Sequence, residues 1–217
     1  MNVLSRAYLG GEREALEVFL DVLEPGDTVY DVGANIGLYT VAAAVQVTEG
    51  TVVAFEPEPE INNRLRANVD LNRLSNVRVV DWAVSDEEGS VDLYSDGVDG
   101  YSPTMREQTR EGAPTGTVEI ETRAVDSALA RDELPRPDVL KIDIEGAEAL
   151  CLSGCEALLE GEYGPQPRII FIEVHPQFLP DYGSTAEEVS EKIQGAGYEV
   201  EWSRKREEQE HLLYVRR

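Results

Sequence analysis

The sequence predicts an α/β fold, in which a mostly parallel sheet is covered by helices on both faces and ends in an antiparallel hairpin. Short apolar runs alternate with helical patterns along most of the chain, as expected for parallel strands joined by helical crossovers. The last residues, GYEVEWSRKREEQEHLLYVRR, read as two strands joined by a short charged turn, and such strands must be antiparallel. At 217 residues the chain is long enough for a single domain, residues 1–217.

The first predicted element is an amphipathic lead-in helix within residues 1–26. The stretch Glu12–Leu23 repeats apolar residues at helical spacing, namely Leu16, Phe19, Leu20 and Leu23. Pro25 and Gly26 end the helix, because neither residue favours its continuation. We therefore expect this helix to pack by its apolar face against the sheet that follows.

Five apolar runs then predict the parallel strands of the sheet. In chain order these strands are Thr28–Val32, Thr51–Phe55, Val77–Trp82, Asp138–Ile144 and Arg168–Val174. Helical patterns follow four of them, near Leu38–Val47 and over Glu58–Leu74, Ala147–Leu159 and Thr185–Gly195. Repeated strand–helix units of this length indicate helices on both faces of the sheet.

The segment from Ser85 to Asp126 interrupts this alternation. It reads VDLYSD, then the polar stretch GVDGYSPTMREQTREGAPTG, then TVEIETRAV, with no helical pattern. We interpret residues 85–126 as a hairpin-like insertion with a long loop, and such loops are often lids or binding elements. A disordered surface excursion is the alternative. Tyr101, Ser102 and Met105 are candidate substrate contacts within the loop.

The charge balance is strongly acidic, with 43 acidic and 19 basic residues. A field this negative repels phosphate backbones, so nucleic acid is not an expected partner. Only three of the basic residues are lysines, Lys141, Lys192 and Lys205. Molar salt screens such charge over roughly 3 Å, so the acidic, lysine-poor composition predicts a protein from a halophilic organism. An ordinary acidic protein is the alternative.

The sequence contains neither a predicted membrane span nor an apolar leader. No apolar run approaches the roughly 18 residues that a span needs, and MNVLSRAYLGGERE lacks the apolar core of a signal peptide. We therefore expect a cytoplasmic protein, of an oligomeric state that the sequence leaves open.

Cys151 and Cys155 are expected on one helix, pointing the same way, as packing residues rather than a disulfide or metal pair.

The stretch VYDVGANIGLYT is a strand followed by a glycine-containing turn and a helix, an arrangement typical of a nucleotide-like ligand site. The dinucleotide fingerprint requires glycine at relative positions one, three and six, but these hold Gly33, Asn35 and Leu38. Asn35 tolerates left-handed backbone angles, and Gly33 and Gly37 allow a close approach to a ligand. Asp31 at the loop mouth would repel a pyrophosphate and attract a cation. The loop therefore predicts a cationic, nucleoside-like ligand without phosphates.

The residues after the second and third strands extend this ligand site. Glu56 lies about 20 positions beyond the first glycine, where an acidic residue can accept the hydroxyls of a ribose. A solvated carboxylate at the end of a strand is the alternative for Glu56. Asp81 and Trp82 end the third strand, where an adenine would lie.

The fourth and fifth strands carry charges that a buried strand normally lacks. In LKIDIEGAE, alternation places Lys141, Asp143 and Glu145 on one face and Leu140, Ile142 and Ile144 on the other. In FIEVHP, Phe171, Glu173 and His175 share a face. Charges at these positions are costly unless they face a polar crevice, so the two strands indicate a reactive site. A purely structural ion-pair network is the alternative.

Together these motifs resemble the FkbM family of S-adenosylmethionine-dependent methyltransferases. The resemblance covers residues 29–176 and rests on DVGANIG, FEPEPE, WAVSDEEG, LKIDIEGAE and IFIEVHP, in this order and spacing. It implies a class I methyltransferase sheet of order 3-2-1-4-5-7-6 with strand 7 antiparallel. It also implies that the methionine end of the cofactor is held by Asp31, Gly33, Asn35 and Gly37, and the ribose by Glu56. Asp143, Glu145 and Gly146 would line the methyl-transfer site.

The expected reaction is O-methylation of a small molecule or glycan. A sugar hydroxyl has a high pKa, so a nearby base would assist the reaction, and His175 is the first candidate. A structural histidine is the alternative, in which case Asp143, Glu145 or Glu173 could act as base, orient the substrate or bind a metal. No spacing requires a metal, and none is predicted. Alternative functions are an NAD-dependent oxidoreductase, a non-catalytic cofactor-binding protein and a nucleic-acid methyltransferase.

Overall fold

A computed structural model describes residues 12–95, 105, 116–206 and 208–217. In chain order the strands are β1 Thr28–Val32, β2 Thr51–Phe55, β3 Val77–Val80, β4 Ala83–Val84, β5 Gly89–Ser95, β6 Gly116–Arg123, β7 Val139–Ile142, β8 Ile169–Val174, β9 Tyr198–Arg206 and β10 Gln209–Arg216. Within the described residues, seven of them form one sheet of order β3-β2-β1-β7-β8-β10-β9. Strand β10 is antiparallel to both its neighbours, and the other pairs are parallel. The predicted strand order is confirmed once the insertion strands are set aside.

Helices cover both faces of this sheet. In chain order they are α1 Glu12–Asp21, α2 Leu38–Gln46, α3 Pro59–Leu71, α4 Val125–Ala130, α5 Glu148–Ser153, α6 Glu156–Glu160 and α7 Ala186–Gly195, with a one-turn 3-10 helix at Leu179–Tyr182. Residues 147–159 were expected to form one helix, and this prediction is wrong. The helix breaks at Gly154, where a β-carbon would lie 1.9 Å from the carbonyl oxygen of Ser85. Helix α4 and the 3-10 turn were not predicted.

The segment between β3 and β7 contains a smaller sheet of order β4-β6-β5 within the described residues. Strands β5 and β6 pair antiparallel from Gly89↔Thr122 to Ser95↔Gly116, which is the hairpin expected in residues 85–126. Met105 lies in the described part of the loop, whereas Tyr101 and Ser102 lie outside the described residues. The role of this segment as a lid stays a prediction.

The core is divided by the main sheet into two apolar layers. On one face, α1 and α2 pack against the sheet, and the ring centroid of Phe19 lies 5.3 Å from that of Phe171. On the other face, α4 to α7 cover a larger cluster that includes Tyr30, Phe55 and Leu140. The four central parallel strands are almost entirely buried and mostly apolar, with Asp31, Lys141 and Glu173 as their buried charged residues.

The two cysteines are packed in the core of the protein. Cys151 and Cys155 are free and fully buried, in agreement with their expected packing role, although the break at Gly154 places them on either side of a helix boundary. Among the described residues, no helix is both long and apolar enough to cross a membrane.

Candidate active site

A crevice opens at the carboxyl ends of β1, β2 and β7. The empty space within it is about 580 Å³, part of which is open to solvent. Five predicted site residues line it, namely Gly33, Asn35, Glu56, Asp143 and Glu145. The other lining residues among those described were not predicted, apart from Met105, and most are apolar: Val32, Phe55, Pro57, Ala83, Val84, Leu93 and Ile144. The crevice is therefore lined partly by the carboxylates of Glu56, Asp143 and Glu145 and partly by apolar side chains.

The loop after β1 is shaped by residues in the left-handed backbone region. Asn35 has φ 49°, as expected from the tolerance of asparagine for this conformation, and its Oδ1 accepts a hydrogen bond from the backbone N–H of Ile36. Gly33 has φ 78°, and a β-carbon there would lie 1.9 Å from the carbonyl oxygen of Asp143. Gly33 therefore packs directly against the backbone of the loop after β7, and a side chain at this position would have no room.

Asp31 lies behind this loop rather than at its mouth. Its exposed fraction is 1%, its Oδ2 accepts a hydrogen bond from Thr40 Oγ1 at 2.5 Å, and its Oδ1 lies 2.9 Å from Lys141 Nζ. Burial lowers the pKa of Lys141, but the charges of Asp31 and Asp143 outweigh it and hold that pKa above its ordinary value. The expectation of an open carboxylate at the loop mouth is wrong, because Lys141 already neutralises Asp31. Contact of Asp31 with a cofactor stays a prediction.

Glu56 is buried and lines the crevice. Its Oε2 accepts from the backbone N–H of Asn35 at 2.9 Å, and its Oε1 accepts from that of Glu58 at 3.0 Å. Burial raises the pKa of Glu56 to about 7, although these two hydrogen bonds oppose the rise. Each carboxylate oxygen has further acceptor capacity, so Glu56 can receive ligand hydroxyl groups.

Asp81 and Trp82 are not among the described residues that line the crevice. The indole of Trp82 packs in the core, 5.0 Å from the ring of Phe55, and Asp81 lies at a separate shallow cavity beside Arg66. The prediction of direct ligand contact by these two side chains is therefore not supported. Strand β3 ends at Val80, and the chain turns so that Ala83 and Val84 form the crevice wall instead.

The acidic residues after β7 reach the crevice through a loop. Strand β7 ends at Ile142, and Glu145 has φ 51°. The alternation of a strand therefore does not determine where the side chains of the three residues after Ile142 point. Asp143, Ile144 and Glu145 all line the crevice, although Ile144 was expected on the opposite face. The side chain of Asp143 lies 3.6 Å from Lys141 Nζ, which balances part of the negative charge.

His175 lies at the end of β8 in a strongly acidic environment. Its exposed fraction is 2%, its Nδ1 is 2.7 Å from Glu148 Oε1, and its Nε2 is 3.8 Å from Glu145 Oε2. Burial alone would lower the pKa of His175, but Glu148, Asp143 and Glu145 raise it to about 9. An imidazolium cannot accept a proton, so this environment opposes the expectation that His175 is the base.

Glu148 was not identified from the sequence. It is completely buried in the first turn of α5, and its Oε1 also accepts from the backbone N–H of Gly146 at 3.0 Å. One signal was available: Glu148 follows Glu145 by three residues in a stretch that is otherwise apolar, EGAEALCL. An acidic residue in such a stretch is costly unless it has a partner.

Glu173 joins the site to the terminal hairpin. It pairs in register with His211 of β10, whose Nε2 lies 3.3 Å from Glu173 Oε2, and Gln209 donates to Glu173 Oε1. Burial and the charge of Asp143 raise the pKa of Glu173. His211 also contacts Glu12 of α1 at 3.5 Å. Glu173 is therefore close to the reactive cluster but already partnered.

Among the residues that the structure describes, two groups of side chains have donor atoms within 4.8 Å of one another, close enough for a metal ion: Asp143, Glu173 and His175, and Glu12, Glu173 and His211. Both carboxylate oxygens of Glu173, which belongs to each group, already have protein partners. These contacts compete with a metal, and the expectation of a reaction without one stays a prediction.

The sheet order and the crevice define a class I methyltransferase fold. Solved structures with this fold include a precorrin-6y C5,15-methyltransferase from Geobacter metallireducens, with a TM-score of 0.56 and 14% identity over 98% of this chain and 92% of that one. Another is a putative rRNA methylase from Clostridium thermocellum, with a TM-score of 0.54 and 11% identity over 99% and 97% of the two chains. At such identities the likeness concerns the fold alone.

Residues 31–200 match the methyltransferase FkbM domain, and the chain belongs to this family. The 31-O-demethyl-FK506 methyltransferase FkbM of Streptomyces tacrolimicus is 31% identical, with 82% of this chain and 75% of that protein covered. The hexuronic acid methyltransferase AglP of Haloferax volcanii is 29% identical, with 77% of this chain and 64% of AglP covered. S-adenosylmethionine is the cofactor that the fold and the family imply.

Proposed function

We propose that the protein transfers a methyl group from S-adenosylmethionine to a hydroxyl oxygen of a sugar or another small molecule. The observation that supports this proposal best is the crevice, in which buried Glu56 and the carboxylates of Asp143 and Glu145 surround one space. The named relatives favour oxygen acceptors: FkbM is named for a 31-O-demethyl compound, and the 24% identical NoeI of Sinorhizobium fredii is named a 2-O-methyltransferase.

The lining residues fit the cofactor. Glu56 offers two carboxylate oxygens for the ribose hydroxyls, while its hydrogen bonds to the Asn35 and Glu58 N–H groups hold it in place. Phe55, Ala83, Val84 and Leu93 supply an apolar wall suited to a flat base. We assign the methionine end to the loop of Gly33, Asn35 and Gly37. The negative carboxylates of the crevice complement a ligand with positive charge and no phosphate.

When bound, S-adenosylmethionine supplies a methyl group on a sulfonium, which is already electrophilic. The residues of this chain must hold the acceptor hydroxyl in place and keep water out. Asp143 and Glu145 line the crevice and can take the hydroxyl proton, whereas Glu173 is engaged with the hairpin. Either carboxylate can also orient a polyol acceptor by accepting hydrogen bonds from its other hydroxyls.

A cofactor and acceptor screen tests this function. Calorimetry is expected to show binding of S-adenosylmethionine and no binding of NAD, because the first loop departs from the dinucleotide fingerprint. With labelled cofactor, methyl transfer is expected to hexuronic acids or neutral sugars and not to RNA, which the net charge of -24 repels. Asp143→Asn and Glu145→Gln each remove a negative charge from the crevice, so they should bind the cofactor more weakly but measurably, and at saturating cofactor the variant that loses the base should react about 100-fold more slowly or worse.

Each outcome of that screen separates the candidate functions. Binding of NAD instead of S-adenosylmethionine would favour the oxidoreductase. Cofactor binding without transfer to any extract component would favour a non-catalytic protein. Label found in RNA alone would overturn the assignment of a small acceptor, and one solved structure of this fold is described as a putative rRNA methylase.

The affinity for S-adenosylmethionine is expected to fall as the pH drops below about 7, because protonation of Glu56 removes an acceptor for the ribose hydroxyls. If the cofactor binds only when Glu56 is ionised, the dissociation constant should rise about tenfold per pH unit below that value. Glu56→Gln should bind more weakly and lose this pH dependence. Glu60→Gln, at an exposed position in the first turn of α3, serves as the control and should retain it. A wild-type affinity that is constant from acidic to alkaline pH would contradict the assignment.

A further inference from the structure

The contact between Glu148 and His175 joins two parts of the reactive site. A single oxygen, Glu148 Oε1, lies 2.7 Å from His175 Nδ1 and 3.0 Å from the backbone nitrogen of Gly146. Gly146 belongs to the loop that carries Asp143 and Glu145, and His175 directly follows the neighbouring strand β8. One buried carboxylate therefore ties the acidic loop to the end of β8.

The packing around this contact leaves little freedom. A β-carbon on Gly146 would lie 2.6 Å from Cβ of Phe178, and the ring of Phe178 stacks on the imidazole of His175 at 24° and 6.1 Å. With Nδ1 engaged by Glu148, the other ring nitrogen is turned to the acidic loop, where Nε2 lies 3.8 Å from Glu145 Oε2. The ring orientation is thus set by Glu148 and Phe178 together.

The burial of Glu148 determines which charge state of the pair is stable. The side chain is completely buried, and within the described part of the chain its Oε2 has no hydrogen-bond partner. A buried carboxylate is strongly unfavourable unless a cation compensates it, and protonated His175 is in direct contact. Three further carboxylates face the same imidazole: Asp143 and Glu145 from the loop after β7, and Glu173 from β8. Their negative charges also favour protonation of His175.

We propose that Glu148 is a positioning residue that holds His175 as a fixed imidazolium, so that His175 orients the acidic loop and leaves proton abstraction to Asp143 or Glu145. The structural part of this proposal concerns Glu148 and His175 alone. The assignment of the base rests on the proposed methyltransferase function. In this arrangement Nδ1 of His175 donates to Glu148, and the charge of the imidazolium attracts the Glu145 carboxylate, whose Oε2 lies 3.8 Å from Nε2.

The chain contains two histidines, which makes the charge state directly measurable. In the proton NMR titration of the folded wild-type protein, assigned with a His211→Gln variant, His175 is expected to titrate near pH 9. A midpoint at or below the ordinary value of 6.5 would overturn the proposal, whatever the variants show. This measurement requires neither substrate nor cofactor, so it is independent of the proposed function.

Glu148→Gln tests the role of the carboxylate. The midpoint of His175 should fall by about one to three pH units, while that of His211 stays unchanged, because His211 contacts Glu12 and Glu173 instead. Glu12→Gln is the matched control: it removes an acidic partner of His211 and should lower the midpoint of His211 without moving that of His175. If Glu148→Gln lowers the melting temperature but leaves the His175 titration unmoved, Glu148 is merely structural and the proposal fails.

The pH dependence of methyl transfer provides the second measurement. The wild-type rate should decline at alkaline pH as His175 loses its proton, and in Glu148→Gln this decline should begin about one to three pH units lower. A rate that instead rises as His175 deprotonates would identify His175 as the base and overturn the assignment to Asp143 or Glu145. Absence of any methyl transfer would overturn the proposed function but would leave the NMR result on Glu148 standing.

Discussion

Lys141→Met is expected to lower the free energy of unfolding by about 3–5 kcal/mol, one of the two largest effects that we predict. Lys141 and Asp31 are both almost fully buried and lie 2.9 Å apart. Removal of the ammonium leaves Asp31 as an uncompensated charge in the core, and it also removes the hydrogen bond from Lys141 Nζ to the carbonyl oxygen of Gly33. The loop after β1 should therefore loosen, and cofactor affinity should fall with stability.

Two further variants isolate the buried charge as the cause. Asp31→Asn combined with Lys141→Met removes both charges, so we expect the double variant to recover at least about 2 kcal/mol relative to Lys141→Met alone. Lys205→Met removes a lysine from an exposed position and should change stability by less than about 0.5 kcal/mol. Urea unfolding of the four proteins, wild type included, measures these differences. If the double variant is less stable than Lys141→Met, the pair does not act through charge compensation.

Gly33→Ala is the second substitution with a large expected effect. The new β-carbon would lie 1.9 Å from the carbonyl oxygen of Asp143, and the residue would have to retain φ 78°. Overpacking and left-handed strain together should cost roughly 2–5 kcal/mol. Because the backbone must shift between the two loops that line the crevice, we also expect about 100-fold weaker binding of S-adenosylmethionine.

Gly26→Ala is the matched control for Gly33→Ala. No atom lies within 4 Å of a β-carbon built at Gly26, so this variant should unfold and bind the cofactor like the wild type. Thermal unfolding and calorimetric titration of both variants measure the two effects. Wild-type stability and affinity in Gly33→Ala would show that the two loops do not depend on their close approach.

Much of the main sheet could be predicted from local patterns. Strands β1 and β2 begin and end at the predicted residues, and the antiparallel hairpin was evident from a charged turn between two strand-like runs. The break between α5 and α6 could not be predicted, because its causes are distant in sequence. Gly154 must pack against the backbone of Ser85, and the carboxylate of Asp126 accepts from the N–H groups of Ala157 and Leu158.

Sequence patterns predicted several residues that line the site, but they did not predict the contacts that these residues make. Residues adjacent to strand ends, such as Glu56 and Asp143, line the crevice because parallel strands bring their carboxyl ends together. The burial of Asp31 was missed because it depends on Lys141 from the neighbouring strand, with which Asp31 is in register. Glu148 was missed because its partner, His175, is 27 residues away in sequence.

The break at Gly154 also anchors the insertion. Its first residue, Ser85, donates to the carbonyl of Arg123 and packs on Gly154, while the backbone N–H of Asp126 donates to the carbonyl of Gly154. Both ends of the insertion thus contact one residue, Gly154, and its Leu93 and Met105 line the crevice. A substitution at Gly154, which is not among the described residues that line the crevice, is therefore expected to shift this part of the crevice wall.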